Sequence, residues 1–409
     1  MDLPLLNRRR PRPPLQHPSL PLPLLLLPLL LLTIATLTTH LLTTLHDPNL
    51  PLLLSQCHAR ARLPQLTKHL PATIATPLCF LLTLPGLAAS PAPAPAVWGA
   101  ATLAPILAGI AALVTVTAVE SARAGNVSVW WLRSPMLGWV GYGLLGGPAM
   151  GAVVWQVGWV PVFLRRGREV VGGWRGGGGG DGSGNGGGWL SPGGGVGGGR
   201  DGGVVGGGRL RHVRVRAEGV AVPVAVAVGF VVPAVLVLVL DSAVVAGVWL
   251  LFPLWVSLVR RAVRAAVVQV LGRERWGESA YLEKSPAAVV GVYAVPVLCS
   301  VLAHAYLVWA LTQPDDRREM TRSVLKAMTT DAFFLSLTIL YWVFVEAGWR
   351  AALLMVGTSA VLGPGAGICA AWVYRERVVD LDRSVTVVAV GSRRPSEDAD
   401  PSEETPLLR

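Results

Sequence analysis

Nine long apolar runs divide this chain, and they restrict its possible folds more than any other feature. They are Leu20–Leu45, Leu70–Ala89, Val97–Val119, Met136–Leu164, Val220–Leu240, Ser242–Leu258, Ala287–Leu311, Ala327–Val345 and Ala351–Val373. About 20 apolar residues cross ~30 Å of hydrocarbon at ~1.5 Å per residue. Charged residues make up only 14% of the 409, against about 25% in a soluble domain. The pattern predicts an all-α, polytopic integral membrane bundle of eight or nine transmembrane helices in contact with a lipid bilayer. Prolines inside the runs are compatible with this, because neighbouring helices satisfy the freed backbone groups. The expected organisation is a basic, Leu/Pro-rich segment (1–69), a first helix group (70–164), a Gly/Arg-rich loop (165–218), a second helix group (219–375) and a polar tail (376–409). The first run follows Arg8, Arg9, Arg10 and Arg12, which fits a signal anchor or a signal peptide.

The net charge of +11 is concentrated in two places. Nine arginines lie between Arg165 and Arg216, and six basic residues between Arg260 and Lys284. Excess Lys/Arg marks cytoplasmic loops, so the charge is explained without nucleic acid as a partner. The 165–218 segment holds about half of the 47 glycines, and such sequence is a flexible coil without a core. A phosphate cradle would need a strand before and a helix after these glycines, and neither is predicted. This orientation places the glycosylation sequon Asn126-Val127-Ser128 on the lumenal side. It also puts the tail in the lumen, where Glu403-Glu404-Thr405-Pro406-Leu407-Leu408, an acidic dileucine pattern, could not be read from the cytosol.

Cys57, Cys79, Cys299 and Cys369 show no zinc-ligand spacing, and three of them lie in apolar runs where a thiol acts as a small hydrophobe. Neither a disulfide framework nor a structural metal is expected, and no cofactor motif is present. Asp315-Asp316-Arg317-Arg318-Glu319 has the aspartate spacing of a Mg²⁺–diphosphate site, but its own arginines favour a solvated charge run.

Ionisable groups in or beside a span are expensive and point to function. Glu120, Asp241, His304, Asp331 and Glu346 qualify. Asp241 fits a turn between two spans, and a lone mid-span histidine such as His304 fits packing better than catalysis. At ~100° per residue, Leu335, Thr338, Trp342, Glu346 and Trp349 fall on the same stripe as Asp331, and that stripe should face the bundle interior. Each acid also has a bland reading, Asp331 as a helix cap and Glu346 as the partner of Arg350. Fifteen of the chain's aromatics are tryptophan, most of them consistent with an interfacial belt, while Trp309 and Trp342 lie deeper. Gly363-Pro364-Gly365-Ala366-Gly367 interrupts the ninth run, as a broken helix or a kink.

The layout, with Ala118-Val119-Glu120-Ser121-Ala122-Arg123-Ala124-Gly125-Asn126 and Leu340-Tyr341-Trp342-Val343-Phe344-Val345-Glu346, resembles the fungal polytopic membrane-bound terpene cyclases of meroterpenoid and indole-diterpene pathways. The resemblance implies an intramembrane reaction in which a buried acid protonates an epoxidised isoprenoid substrate. Glu120, Asp331 and Glu346 would then be the catalytic candidates, and Trp342, Trp309 and Thr338 would line the substrate site. It also implies residence in the endoplasmic reticulum or another endomembrane. A transporter lined by the polar stripe, or a non-catalytic membrane protein, are the competing expectations.

Overall fold

The computed structural model describes residues 22–63, 69–89, 91–92, 94–95, 97–123, 135–141, 152–153, 155–157, 213, 215–240, 242–272, 276, 285–315 and 317–376. The sequon at Asn126, Asp241, Asp316, the Gly-rich loop and the dileucine tail lie outside them.

The described residues are helical apart from two strands of two residues each. In chain order the helices are α1 (Leu22–His46), α2 (Asn49–His58), α3 (Ala72–Ala89), α4 (Val97–Ala122), α5 (Pro135–Gly141), α6 (Glu218–Val226), α7 (Val232–Val239), α8 (Ala243–Leu250), α9 (Phe252–Leu271), α10 (Pro286–Ala310), α11 (Glu319–Ala347) and α12 (Trp349–Leu362). Strands β1 (Pro91–Ala92) and β2 (Ala94–Pro95) form a small antiparallel hairpin before α4. A π-helical turn, Ala227–Val231, joins α6 and α7 into one element, and residues 364–376 form a further helical arm after α12. Helix is dictated by environment: in hydrocarbon every backbone N–H must be paired within its own segment. Hydroxyls follow the same rule, with Thr115 and Thr117 each donating to a carbonyl four residues back.

Five of these helices are long and apolar enough to cross a bilayer, or six when α8 and α9, bent by 57°, count as one. α3 and α12 are shorter apolar helices, and the fourth apolar run is described only in part. α4 is the central element, buried along nearly its whole length and packed most extensively on α10. α1 and α10 instead expose Leu30, Leu31, Leu41, Leu298 and Leu302, as expected of a lipid-facing surface.

Two ends of the bundle are distinguishable. At one, the end of α4, the start of α6, the middle of α9, the end of α11 and the 364–376 arm converge, held by arginines. Arg123 also bridges to Val213 here. At the other, Asn49 Nδ2 donates to Ser323 Oγ at 2.9 Å, Trp98 Nε1 to the Gln313 carbonyl at 3.1 Å, and Thr321 Oγ1 to the Leu87 carbonyl at 3.1 Å. Charge counting separated the turn after α4 from the arginine-rich loops by one crossing. The structure instead puts Arg123 and Arg260 at the same end, where Arg260 reaches Ser121 and Arg123 bridges to Val213.

The ninth run is not a single span. α12 enters beside Glu346, stops at Gly363, and the 364–376 arm runs back along it. Both arms are short, α12 reaching only about 21 Å by helical rise. Their base is fixed by Arg375 Nη2 on Glu346 Oε2 at 2.5 Å. Gly363 has φ +90°, a left-handed conformation open to glycine, and turns the chain. A Cβ at Gly365 would lie 2.6 Å from the Ala108 carbonyl at the middle of α4, so only glycine permits this approach. Ser300, midway along α10, serves both helix ends at the break. Its Oγ donates to the Leu362 carbonyl at 3.1 Å and accepts from Ala366 N–H at 2.9 Å.

Cys57 and Cys79 form a disulfide that joins α2 to α3, with Cα atoms 5.6 Å apart. This corrects the expectation of no disulfide. Sequence spacing could not show that α2 folds back along α3 and brings two distant thiols together. Cys299 and Cys369 are free.

Candidate functional site

The expected acids fall into two separate buried groups. Glu120, on the last turn of α4, accepts from Arg123 Nε at 3.0 Å, Arg375 Nη1 at 2.8 Å and Trp372 Nε1 at 3.3 Å. Arg123 also reaches Glu376 at 2.6 Å. Glu346 joins through Arg375, while Arg350 lies over the Trp349 ring at 5.5 Å. Ser121 links this group to Arg260, which with Arg264 holds Glu218. Among the described residues four carboxylates therefore face four guanidiniums. Balanced pairing of this kind is what permits charges to stay buried. Its product is a clamp joining α4, α6, α9, α11 and the 364–376 arm.

Asp331 lies elsewhere. Helix α11 begins at Glu319, so Asp331 does not cap it and is instead enclosed nearly halfway along. Its Oδ1 accepts from Ala152 N–H at 2.9 Å and lies 3.6 Å from His40 Nε2 of α1. Beside it, Thr338 Oγ1 and Thr36 Oγ1 each accept from Gln156 Nε2 at 3.1 Å. Both hydroxyls donate to their own helices, so the amide orientation of Gln156 is set by the network. The stripe from Asp331 through Leu335, Thr338 and Trp342 does face the interior. Trp342 packs on Trp372 at 4.2 Å. Trp309 does not join either group: it is exposed on the bundle surface and stacked on Tyr306 at 5.7 Å.

A cavity of about 370 Å³ lies beside that stripe and shares Leu335 with it, between α4, α10, α11 and the tip, at Gly363, of the helical hairpin that α12 makes with the 364–376 arm. Its wall is mainly apolar, with Ile106, Leu113, Phe333 and Ile339 among its members, and Pro364 at its hairpin side. Neither Asp331, Glu120 nor Glu346 lines it, and neither do Trp342, Trp309 and Thr338. Of its polar lining, Thr102, Thr329 and Ser336 donate to carbonyls of their own helices. Among the described residues neither the His304 ring nor the Ser359 hydroxyl has a hydrogen-bond partner. Among the described residues His304 is the only ionisable one in the lining. Sequence reading had assigned it to packing, and its one warning was a polar ring in the middle of an apolar run.

The acid-rich run before α11 is a surface ion cluster. Asp315 binds Arg317 at 2.8 Å and Arg322 at 3.1 Å. Hydrogen bonding from Arg317 holds the Asp315 carboxyl well below the ordinary range. Among the described residues no group of three His, Cys, Asp or Glu is placed to hold a metal ion.

No protein-family model matches the chain, and neither a curated protein nor a solved structure is similar to it.

Proposed function

We propose that this is a multi-pass membrane protein that takes an apolar, chain-like ligand into the cavity between α4, α10, α11 and the hairpin tip. The apolar lining carries the reading. Its volume lies at the lower end of the range for small-molecule sites, and such sites are mostly apolar with a few fixed polar groups. Among the described residues six crossings, against the eight or nine expected, account for the long helices, with α12 and the 364–376 arm inserted from one side. The arginine-rich end then faces the cytosol. The disulfide near the other end agrees, because disulfides persist on the oxidising side of a membrane.

Cyclisation of a bound isoprenoid epoxide is the finer proposal, and it rests on the resemblance alone. An acid that protonates substrate must reach the reacting atom. Glu120 and Glu346 are committed to guanidiniums, and the Asp331 carboxylate is turned toward α1, so binding without cyclisation has the stronger support.

Protein in nanodiscs should be labelled by a photoreactive isoprenoid or acyl chain at peptides from α4 and α11. Gly109→Leu, which fills the wall, should reduce that labelling at least tenfold, and unchanged labelling would refute the cavity as the site. In microsomes the protein should not cyclise a prenylated epoxide. Turnover that is abolished by Asp331→Asn while the melting temperature is kept would restore the cyclase.

A further inference from the structure

Resting on the cavity as the binding site, we infer that its ligand carries a single uncharged polar terminus, a hydroxyl, epoxide or carbonyl, docked at His304 and Ser359 beside the hairpin tip. The remaining polar lining is already committed. Thr102, Thr329 and Ser336 donate to Trp98, Leu325 and Ala332 carbonyls, and so turn little but methyl and methylene surface and residual lone pairs toward the space. His304 and Ser359 are different, since both line the cavity and, among the described residues, neither the ring nor the hydroxyl has a hydrogen-bond partner. Leaving an imidazole unpaired in an apolar site is costly, and a ligand that pairs it removes the cost.

The two groups also converge. An ideal Cβ on Gly363 would come within 3.0 Å of His304 Cβ, and Ser359 accepts the Gly363 N–H through its carbonyl at 3.0 Å. Both residues therefore lie beside Gly363, at the break between α12 and the 364–376 arm, and both line the same cavity there. A neutral imidazole offers one donor and one acceptor, and the serine hydroxyl offers both. The pair suits a hydroxyl, which donates and accepts, or an ether or carbonyl oxygen, which accepts.

Charge excludes the other common heads. The lining contains no Arg or Lys to hold a diphosphate or carboxylate, and no Asp or Glu to hold an amine. The guanidiniums of Arg123, Arg260 and Arg375 lie in the clamp at the arginine-rich end, already paired to carboxylates. A charged head here would have to leave water without a counter-charge, which costs far more than one hydrogen bond returns.

The test is competition against a photoreactive isoprenoid probe in nanodiscs, using farnesol, farnesyl diphosphate and a hydrocarbon of matched length. Farnesol should compete best. His304→Ala should weaken farnesol about three- to tenfold, the size of one net hydrogen bond, and leave the hydrocarbon unchanged. His304→Gln, which keeps a donor and an acceptor, should recover most of the loss. Stronger competition by the diphosphate, or equal effects of His304→Ala on farnesol and hydrocarbon, overturns the inference while leaving apolar binding intact. Failure of all three competitors, with labelling insensitive to Gly109→Leu, removes the binding reading itself. Thermal unfolding of each variant separates loss of the head contact from loss of fold.

Discussion

Arg375 shows how far a single residue can act in this bundle. It meets Glu120 at 2.8 Å, Glu346 at 2.5 Å and the Trp372 ring at 5.2 Å. Removing one partner of a buried pair costs about 3–5 kcal/mol, because the charges left behind have no water to turn to. Arg375→Leu should therefore lower the melting temperature of the detergent-purified protein sharply, whereas Arg261→Leu, on the exposed face of α9, should leave it nearly unchanged. Equal melting temperatures for the two variants would show that the clamp does not hold the fold. Glu120 and Glu346 were legible as unusual residues from their place in apolar runs. Their partners were not, because Arg375 is 255 positions from Glu120 and Glu376 is 253 from Arg123. No local pattern encodes a contact at that separation. Helical periodicity did identify the interior stripe through Asp331, Thr338 and Trp342, since spacing alone determines which side chains share a face. It could not say that the cavity would lie beside that stripe and share Leu335 with it.

At the scale of elements, the hairpin of α12 and the 364–376 arm is where sequence and structure diverge most. Hydropathy averages over a window, and two short arms joined at Gly363 read like one crossing. The Gly-Pro-Gly cluster was the visible sign of a break, but a kink and a reversal leave the same composition. The structural difference lies in the tip, where Gly365 sits against the Ala108 carbonyl and Ser300 serves both broken ends. Gly365→Ala forces a methyl into space already occupied by backbone. Overpacking of this kind costs about 1–3 kcal/mol. The variant should melt several degrees lower and, because Pro364 belongs to the cavity wall, should also bind the isoprenoid probe less tightly. Full retention of both properties would mean the tip does not sit against α4. The disulfide was hidden for a related reason: α2 is short and the segment after it carries no hairpin signature, so nothing announced that Cys57 would reach Cys79.

For the whole molecule, the two ends fix which segments share a compartment. Arg123, Glu218, Arg260 and Glu376 all lie at one end, so tags inserted in the 165–218 loop and after Arg409 should show the same protease accessibility in sealed microsomes. Asn126 follows Arg123 by three residues, and Asn126→Gln should leave the electrophoretic mobility of the protein unchanged. A glycan at Asn126, or tags protected on opposite sides, would contradict this arrangement. The all-helical class and the membrane environment were legible because both follow from run length and charge density. Among the described residues five or six helices are long and apolar enough to cross, and which runs reverse was not legible, because reversal is decided by close contacts such as those of Ser300 and Ala108.

Those contacts also impose an order on assembly. The seat of the hairpin tip is built from the middles of α4 and α10, both of which precede it in the chain. Neither arm is long enough to be held in a bilayer as a stop-transfer segment, and the broken ends at Gly363 have no hydrogen-bond partners there until Ser300 is in place. The hairpin therefore has to wait at the surface until the bundle exists, and then enter as a pair. Its docking therefore follows the packing of α4 on α10, which builds the seat that the tip fills.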